Sequence, residues 1–406
     1  MEAWDDFYRA LKPGGLLSVS RWYDAEKRRS ELYRLVAIGA SALQRKGVAA
    51  TELRHHVVAV NVGNIVTVIT RPDAFSDAQW QGARERLQAQ GFKILLGPDV
   101  TFDAVTSTLL SDKANQAFFD SLPENIAAST DDNPFFFYTS RFSDFVSTHS
   151  WDMMSNNAAI GITGLLIIVA LCACGYYIVL PFLRLAKRMP MATLTPPVAY
   201  FSAIGMGFML VEISQMQRLM VFLGHPVYGL SVVLFTILLF SGIGSATVGA
   251  DTSSRRVTVF RIAALLTTLV VAGLLTPLVT TWARSLSTDM RILVSVLLLA
   301  PPAFCMGMMF PLGLGVWRRH HELLPFFWST NGITSMFASV LGVALSIQFG
   351  IAKTYALGVC FYAVCAIVII ASRWVQSIDM SAAKGPVSPE ASIAGKEGAT
   401  IRRPHQ

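Results

Sequence analysis

The chain has 406 residues, 53% of them hydrophobic and 15% charged, with a formal net charge of +7. Soluble globular domains average about 25% charged residues, so an ordinary water-soluble enzyme, a disordered chain and a fibrous one are excluded. The charge is also unevenly placed: Ala158 to Trp374 holds 13 Lys and Arg against four acidic residues (Glu212, Asp251, Asp289 and Glu322), a balance of +9 that leaves −2 for the rest of the chain. This is the pattern of charged loops between membrane spans and argues against a nucleic-acid partner.

In chain order, Met1 to Leu11 reads as a helix with Trp4, Phe7, Tyr8 and Leu11 at helical spacing. Lys12-Pro13-Gly14-Gly15 stops it, because Pro cannot continue a helix and Gly accepts the left-handed conformation that ends one. Leu16 to Trp22 alternates like a strand. Glu26 to Lys46 is an amphipathic helix with Leu32, Leu35, Val36, Gly39 and Leu43 on one side. Two β-rich runs, His56 to Val62 and Ile65 to Thr70, flank Gly63-Asn64, a tight-hairpin signal. Ser76 with Gln79 forms a capping box opening a helix to about Gln90, and Phe92 to Leu96 is a further strand. The order α–β–α–β–β–α–β predicts an α/β domain with an antiparallel end over residues 1–150.

A bilayer core needs about 20 apolar residues per helix. Seven stretches qualify: Ala158–Leu183, Val198–Arg218, Val227–Gly249, Val257–Trp282, Ile292–Trp317, Pro325–Phe349 and Thr354–Trp374. They predict a polytopic α-helical bundle over 158–374 in the inner or plasma membrane, with the lipid bilayer as its first partner. A carboxylate inside a span costs on the order of 2.5–3.5 kcal/mol, so it faces a partner or water. Glu212 is such a carboxylate; Gln215 follows one turn on and Arg218 near the membrane edge. With Asn331 at the start of the sixth span these form a candidate membrane polar site. Glu212 reads either as a site for a cation, a proton or an amine, or as an internal hydrogen-bonded clamp. Ser241, Ser245 and Gly249, and likewise Ser335 and Ser339, have the spacing of close helix packing. Pro301-Pro302 and Pro311 interrupt the fifth span. The five cysteines lie in apolar runs and no His, Cys or carboxylate spacing suits a metal. The tail, 381–406, is rich in Ala, Gly, Ser and Pro and is expected to be disordered.

Phe7-Tyr8-Arg9-Ala10-Leu11-Lys12-Pro13-Gly14-Gly15 followed by Leu17-Ser18-Val19-Ser20-Arg21-Trp22 resembles the helix, Pro-Gly-Gly turn and fifth strand of the Rossmann-like methyltransferase fold, in its spermidine synthase (polyamine aminopropyltransferase) branch. Ser129-Thr130-Asp131-Asp132-Asn133-Pro134-Phe135-Phe136-Phe137, just before the spans, is similar to membrane-bound spermidine synthase-like proteins. So are Gly207 to Ile213, Leu223 to Tyr228, Leu239 to Ser245 and Phe327 to Gly332. The resemblance covers the chain to about residue 375. It implies aminopropyl transfer to a polyamine substrate and places the proton-accepting Asp after the fourth strand, ahead of Met1; the catalytic residues within this chain stay unknown, with Asp131 and Asp132 as candidates. It also implies that only the C-terminal half of the cofactor-binding domain is present. No Gly-x-Gly-x-x-Gly precedes a strand–helix unit. Decarboxylated S-adenosylmethionine or S-adenosylmethionine is therefore expected only for a full-length relative, and this chain reads as an incomplete transferase, a fragment or split product. A half-sheet has an open edge, which favours a complementary half-domain or a second copy as partner.

The alternative reading is a polytopic transporter, or a membrane assembly partner, with an accessory soluble domain. Lys and Arg concentrate in the first, third and fifth loops (Arg184, Lys187, Arg188; Arg255, Arg256; Arg318, Arg319) and in the tail. By the positive-inside rule these face the cytoplasm, and seven spans then put the N-terminal domain outside. A domain of S-adenosyl ancestry belongs in the cytosol, so the two arguments conflict.

Overall fold

A computed structural model describes residues 1–24, 29–139, 141, 158–249 and 254–383. The expected disordered tail lies outside these residues except for its first three positions.

The N-terminal part comprises α1 (Glu2–Ala10), β1 (Leu17–Trp22), α2 (Ser30–Arg45), β2 (Val57–Val62), β3 (Ile65–Thr70), α3 (Asp77–Ala89), β4 (Lys93–Leu96), α4 (Ala104–Leu109) and α5 (Gln116–Ser121). Up to β4 this is the predicted order. The strands form a four-stranded sheet, β1-β3-β2-β4, in which every neighbouring pair is antiparallel. Because β1 and β2 both oppose β3, they run in the same direction, and α2 is the crossover between them. Val62 pairs with Ile65 across the hairpin, and Gly63 holds the left-handed φ of 54° that a two-residue turn needs. Both halves of the Ser76–Gln79 capping box are formed at the start of α3.

Alternation and helical periodicity meet in one core. Leu32, Leu35, Val36 and Leu43 of α2 pack with Val57, Val66 and Val68 of the sheet and with Trp4 and Tyr8 of α1, all buried. Burying each of the larger aliphatic side chains contributes about 2 kcal/mol. Phe7, grouped with Trp4 and Tyr8 by its spacing, is instead 49% exposed, because α1 meets the core along its i, i+4 edge and Phe7 falls on the flank. His56 does not open the strand. It follows a 3₁₀ turn, Leu53–His55, and is buried with Nδ1 3.0 Å from the Arg71 carbonyl. β1 is an edge strand whose flanking Leu16 and Trp22 are exposed.

Among the described residues seven helical segments are long and apolar enough to cross a membrane, in the seven places expected. The first joins α6 (Ala158–Cys174) through a π-helical turn (Gly175–Val179) to α7 (Leu180–Ala186). The others are α8 (Met191–Leu223), α9 (Pro226–Ala246), α10 (Arg255–Trp282), α11 with α12 (Thr288–Gly307 and Met309–Val316), α13 (Leu324–Phe349) and α14 (Ile351–Ala383). The chain breaks between α11 and α12 at Met308, downstream of Pro301-Pro302.

The buried axis of the bundle is α8, against which α9, α13 and α14 pack around Tyr200, Phe201, Phe327 and Tyr362. The closest backbone approach uses Gly244 and Gly307, with the expected Ser241 at the same contact. A Cβ on Gly244 would lie 1.9 Å from the Phe304 carbonyl oxygen, and one on Gly307 would lie 2.0 Å from that of Ser241. Only the absence of a Cβ lets α9 and α11 touch so closely; Ser241 contributes its backbone to that contact.

Candidate functional site at the joint between domain and bundle

The segment after α5 carries Asp131-Asp132-Asn133, and a buried cation sets its path. Arg34 lies in the middle of α2 and is 3% exposed. Its guanidinium donates to the carbonyls of Phe135 (2.9 Å), Phe136 (2.5 Å) and Tyr138 (3.1 Å), and also to that of Asn125. Five fixed donors suit such a cluster of acceptors. Burial holds the Arg34 guanidinium down at about 10, against the weaker opposing charge of Glu124.

So positioned, the three polar residues stitch the domain to the bundle. Asp131 forms an ion pair with Arg284 at the end of α10, and its N–H donates to Glu2 at 3.1 Å. Asp6 also faces Arg284, at 3.6 Å. Burial pushes the Asp131 carboxyl up and nearby Glu2 adds to the rise, which Arg284 only partly offsets. Asp132 caps α14: its carbonyl accepts from Ile351 N–H (2.9 Å) and its carboxylate from Ala352 N–H (2.8 Å), while Arg218 of α8 lies 3.7 Å away. Gly350 has φ +93°, and a Cβ there would lie 2.5 Å from the Asp132 carboxylate. Asn133 donates to the Ile347 carbonyl at 3.1 Å. A cavity of about 530 Å³ lies in this joint, lined by Glu2, Asp6, Asp131 and Asp132 and by Arg218, Arg284 and Arg291. Its carboxylates and guanidiniums are largely engaged with one another or with backbone. Arg291, for example, donates to the carbonyls of Phe222, Arg284 and Leu286.

From this cavity a polar line runs into the bundle along α8. The Arg218 guanidinium lies 5.7 Å from the Tyr355 ring centre, and the Tyr355 hydroxyl donates to the Leu269 carbonyl at 2.7 Å. Gln215, 1% exposed, approaches the Thr276 hydroxyl at 3.5 Å with its amide NH₂, and its carbonyl oxygen has no partner among the described residues. Tyr362 is fully buried, its ring packs on α8 at Gly207, and its hydroxyl has no partner among the described residues. Glu212 is half-buried and makes no hydrogen bond or ion pair among the described residues. Met220 packs on Gly229, and this antiparallel register puts Glu212 level with Thr236 and Ile237, halfway along the 21-residue α9.

Glu212, Gln215 and Arg218 thus share one side of α8, spaced three residues apart. Asn331 is elsewhere. It borders a second cavity of about 410 Å³ between α8, α9, α11 and α13, with Ser241, Ser245 and Ser335, and its side-chain oxygen has no partner among the described residues. Four important side chains were not singled out from the sequence: Arg34, Arg284, Tyr355 and Tyr362. Arg34 carried a signal, a cation flanked by apolar residues on the inward face of a helix. Tyr355 and Tyr362 were hidden among apolar residues, although seven positions apart they lie on one face of α14.

The Pro13-Gly14-Gly15 turn is the one Gly-rich turn at a helix–strand junction that the resemblance highlights, and its groups are engaged internally. Gly14 N–H donates to Asp73 at 2.8 Å, and a Cβ on Gly15 would lie 2.8 Å from the Lys12 carbonyl oxygen. No protein-family model, curated protein or solved structure matches the chain.

Proposed function

We propose that the chain is a transporter-type polytopic protein of the inner or plasma membrane that passes a small cation, with the α/β domain docked over one mouth of its bundle. The observation that carries this reading is the polar line from the 530 Å³ joint cavity through Arg218 and Gln215 to Glu212 in the middle of the bundle. Intramembrane ionisable residues facing a bundle interior mark ion or substrate pathways. Asp131 and Asp132 then act as docking residues, holding the domain on α10 and α14. Spermidine is the probe to use first, because the sequence resemblance points to polyamines. Proteoliposomes of the full chain are expected to accumulate labelled spermidine under a proton gradient, above protein-free liposomes. Equal accumulation in the two would count against the reading.

A second reading is favoured by one observation, the strand order β1-β3-β2 with β1 and β2 parallel and α2 crossing between them. That order suits the C-terminal half of a methyltransferase-type sheet and hence a spermidine synthase-like transferase. The open edge of β1 would then take a complementary half-domain or a second copy. Calorimetry of the full chain with decarboxylated S-adenosylmethionine tests it: micromolar binding favours the transferase, and no heat of binding favours the transporter.

A further inference from the structure

We infer that Glu212 is a proton-exchange site within the membrane, with Gln215 and Tyr362 as its oxygen partners and the joint cavity as its route to water; the inference deepens the transporter reading and rests on it. Three features converge. A carboxyl lies midway through the bundle without an ion pair or hydrogen bond among the described residues. Gln215 (1% exposed) lies one turn on along α8, and Tyr362 (fully buried) packs from α14 against α8 at Gly207, where a Cβ would lie 3.0 Å from its ring; each has an oxygen with no partner among the described residues. Buried polar atoms are nearly always satisfied, so these oxygens, with the likewise unpartnered hydroxyls of Ser214 and Thr236, are groups that would receive a transient partner. The third feature is the route, since Arg218 lines the cavity six residues, about 9 Å, along the same helix.

The donor set favours a proton over a metal cation. Sodium or calcium sites draw on several oxygens, commonly including backbone carbonyls freed by an unwound helix. Here α8 is helical across its 33 residues and its internal prolines, Pro196 and Pro197, lie roughly four turns before Glu212, so no freed backbone carbonyl is at hand; besides the carboxyl, the unpartnered oxygens at this level are side-chain ones, those of Gln215 and Tyr362 and the hydroxyls of Ser214 and Thr236. The titratable and charged groups facing Glu212 from neighbouring helices are few. On α14 they are Tyr355, Tyr362 and Cys365; on α8 itself there is Arg218. Nothing along α13 is charged, Tyr228 of α9 lies in its first turn, and the charges of α10 and α11 lie in their first two turns.

In the exchange step the carboxyl O–H bond breaks, its electron pair stays on the carboxylate, and the proton passes to a water molecule that leaves through the cavity. Gln215 and Tyr362 then supply the polar contacts the carboxylate needs while it is charged. Return of a proton from water restores the neutral carboxyl.

A hydrophobic carbodiimide reads this directly, because it attacks protonated carboxyl groups in apolar surroundings. The full chain in lipid is treated from about pH 6 to about pH 9 and the adducts are located by mass spectrometry. Glu212 is expected to label at least about tenfold more than Glu322, which lies on an exposed connection, and to lose that labelling as pH rises. Tyr362→Phe, which removes one partner of the charged form, is expected to shift the midpoint of the loss upward by about one pH unit. Absence of Glu212 labelling, labelling independent of pH, or an unmoved midpoint in Tyr362→Phe would each overturn the inference. Protection by sodium at constant pH would overturn the choice of a proton. Labelling does not depend on transport, so titrating Glu212 adducts without spermidine accumulation would refute the transporter reading and leave the proton site standing. Accumulation without labelling would do the reverse.

Discussion

Replacing Arg34 by Met keeps a long stem in the α2 core but deletes the cation that gathers four backbone carbonyls, those of Asn125, Phe135, Phe136 and Tyr138. Hydrogen bonds to a charged group contribute about 1.5–3 kcal/mol each, and a buried acceptor left unpaired costs about 1–3 kcal/mol. Some of the freed carbonyls will reach water, since Phe137 beside them is exposed. The four do not add, and the expected loss of domain stability is about 3–5 kcal/mol. Part of that loss should reach the membrane. The segment Arg34 holds leads back to Asp132, whose carbonyl and carboxylate accept from Ile351 and Ala352 at the start of α14. Other ties remain at the joint, Arg284 to Asp131 and Asn133 to Ile347, so the local opening energy at Ile351 and Ala352 should fall by about 1.4 kcal/mol and no more. Amide exchange of the peptide spanning these residues, in detergent, should then speed up about tenfold. Arg34→Lys, a point charge in place of a fork, should fall between wild type and Arg34→Met. Destabilisation of the domain with unchanged exchange at Ile351 and Ala352 would refute the argument that Arg34 positions the joint.

Three further outcomes follow from the same contacts. Asp132→Ala removes the cap of α14 and should lower stability by about 1–2 kcal/mol. Asp132→Asn, which keeps an oxygen acceptor, should cost about half as much, and equal losses in thermal unfolding would show that the cap is not the source. Gly244→Ala drives a methyl into the Phe304 carbonyl and should cost about 1–3 kcal/mol, whereas Gly242→Ala one turn-face away, with open space around it, should be nearly neutral in the same melt. Asp131 gives a pH dependence. Burial, then Glu2, raises its folded pKa above 3.8, so the folded state holds this proton more tightly than the unfolded chain. The stability this contributes is fully present below 3.8 and is lost as pH rises through the folded value. Asp131→Asn should remove that fall, seen as a flatter curve of stability against pH on the acid side. An unchanged curve would mean that the carboxyl is not desolvated as described.

Much of the fold was legible because its signals are local. The Ser76–Gln79 capping box, the Gly63-Asn64 turn and the alternation of β2 and β3 each need only a few adjacent residues, and the seven spans follow from length and apolarity alone. The site was legible only in part. Glu212, Gln215 and Arg218 stand out as polar groups at helical spacing on one span, and the run Asp131-Asp132-Asn133 stands out as polar residues before the membrane. Their joining through Arg218 and Asp132, 86 positions apart in sequence, is a tertiary contact that no local pattern encodes. For the same reason Asn331 was grouped with Glu212, although α13 presents it to a different cavity. Arg34 was passed over because helix periodicity sorts residues by polarity, and a buried arginine satisfied by loop carbonyls looks like an error in that pattern.

The placement of the domain also bears on which side of the membrane it occupies. It rests on the ends of α8 and α10 and on the turn from α13 to α14, which is the side of the second, fourth and sixth connections. The arginines on that side are engaged by the chain itself, Arg218 by Asp132, Arg284 by Asp131 and Asp6, and Arg291 by three carbonyls, while the exposed Lys353 forms no ion pair among the described residues. On the opposite side Arg184, Lys187, Arg188, Arg255, Arg256, Arg318 and Arg319 form no ion pair with a carboxylate among the described residues. Discounting the arginines consumed in docking, seven uncommitted basic residues face away from the domain against Lys353 on its side. Uncommitted charge is what an anionic cytoplasmic leaflet attracts and what resists translocation. The domain is therefore expected outside the cytoplasm, away from the pool of S-adenosyl metabolites, which weighs towards transport and against transfer chemistry. Cysteines placed at Gln81 of α3, an exposed position, and at His321 between α12 and α13, in a chain otherwise free of reactive thiols, test this in intact cells with a membrane-impermeant maleimide. Labelling at position 81 and protection at 321 is the expected result. The reverse pattern would return the domain to the cytosol and, with it, the case for a transferase.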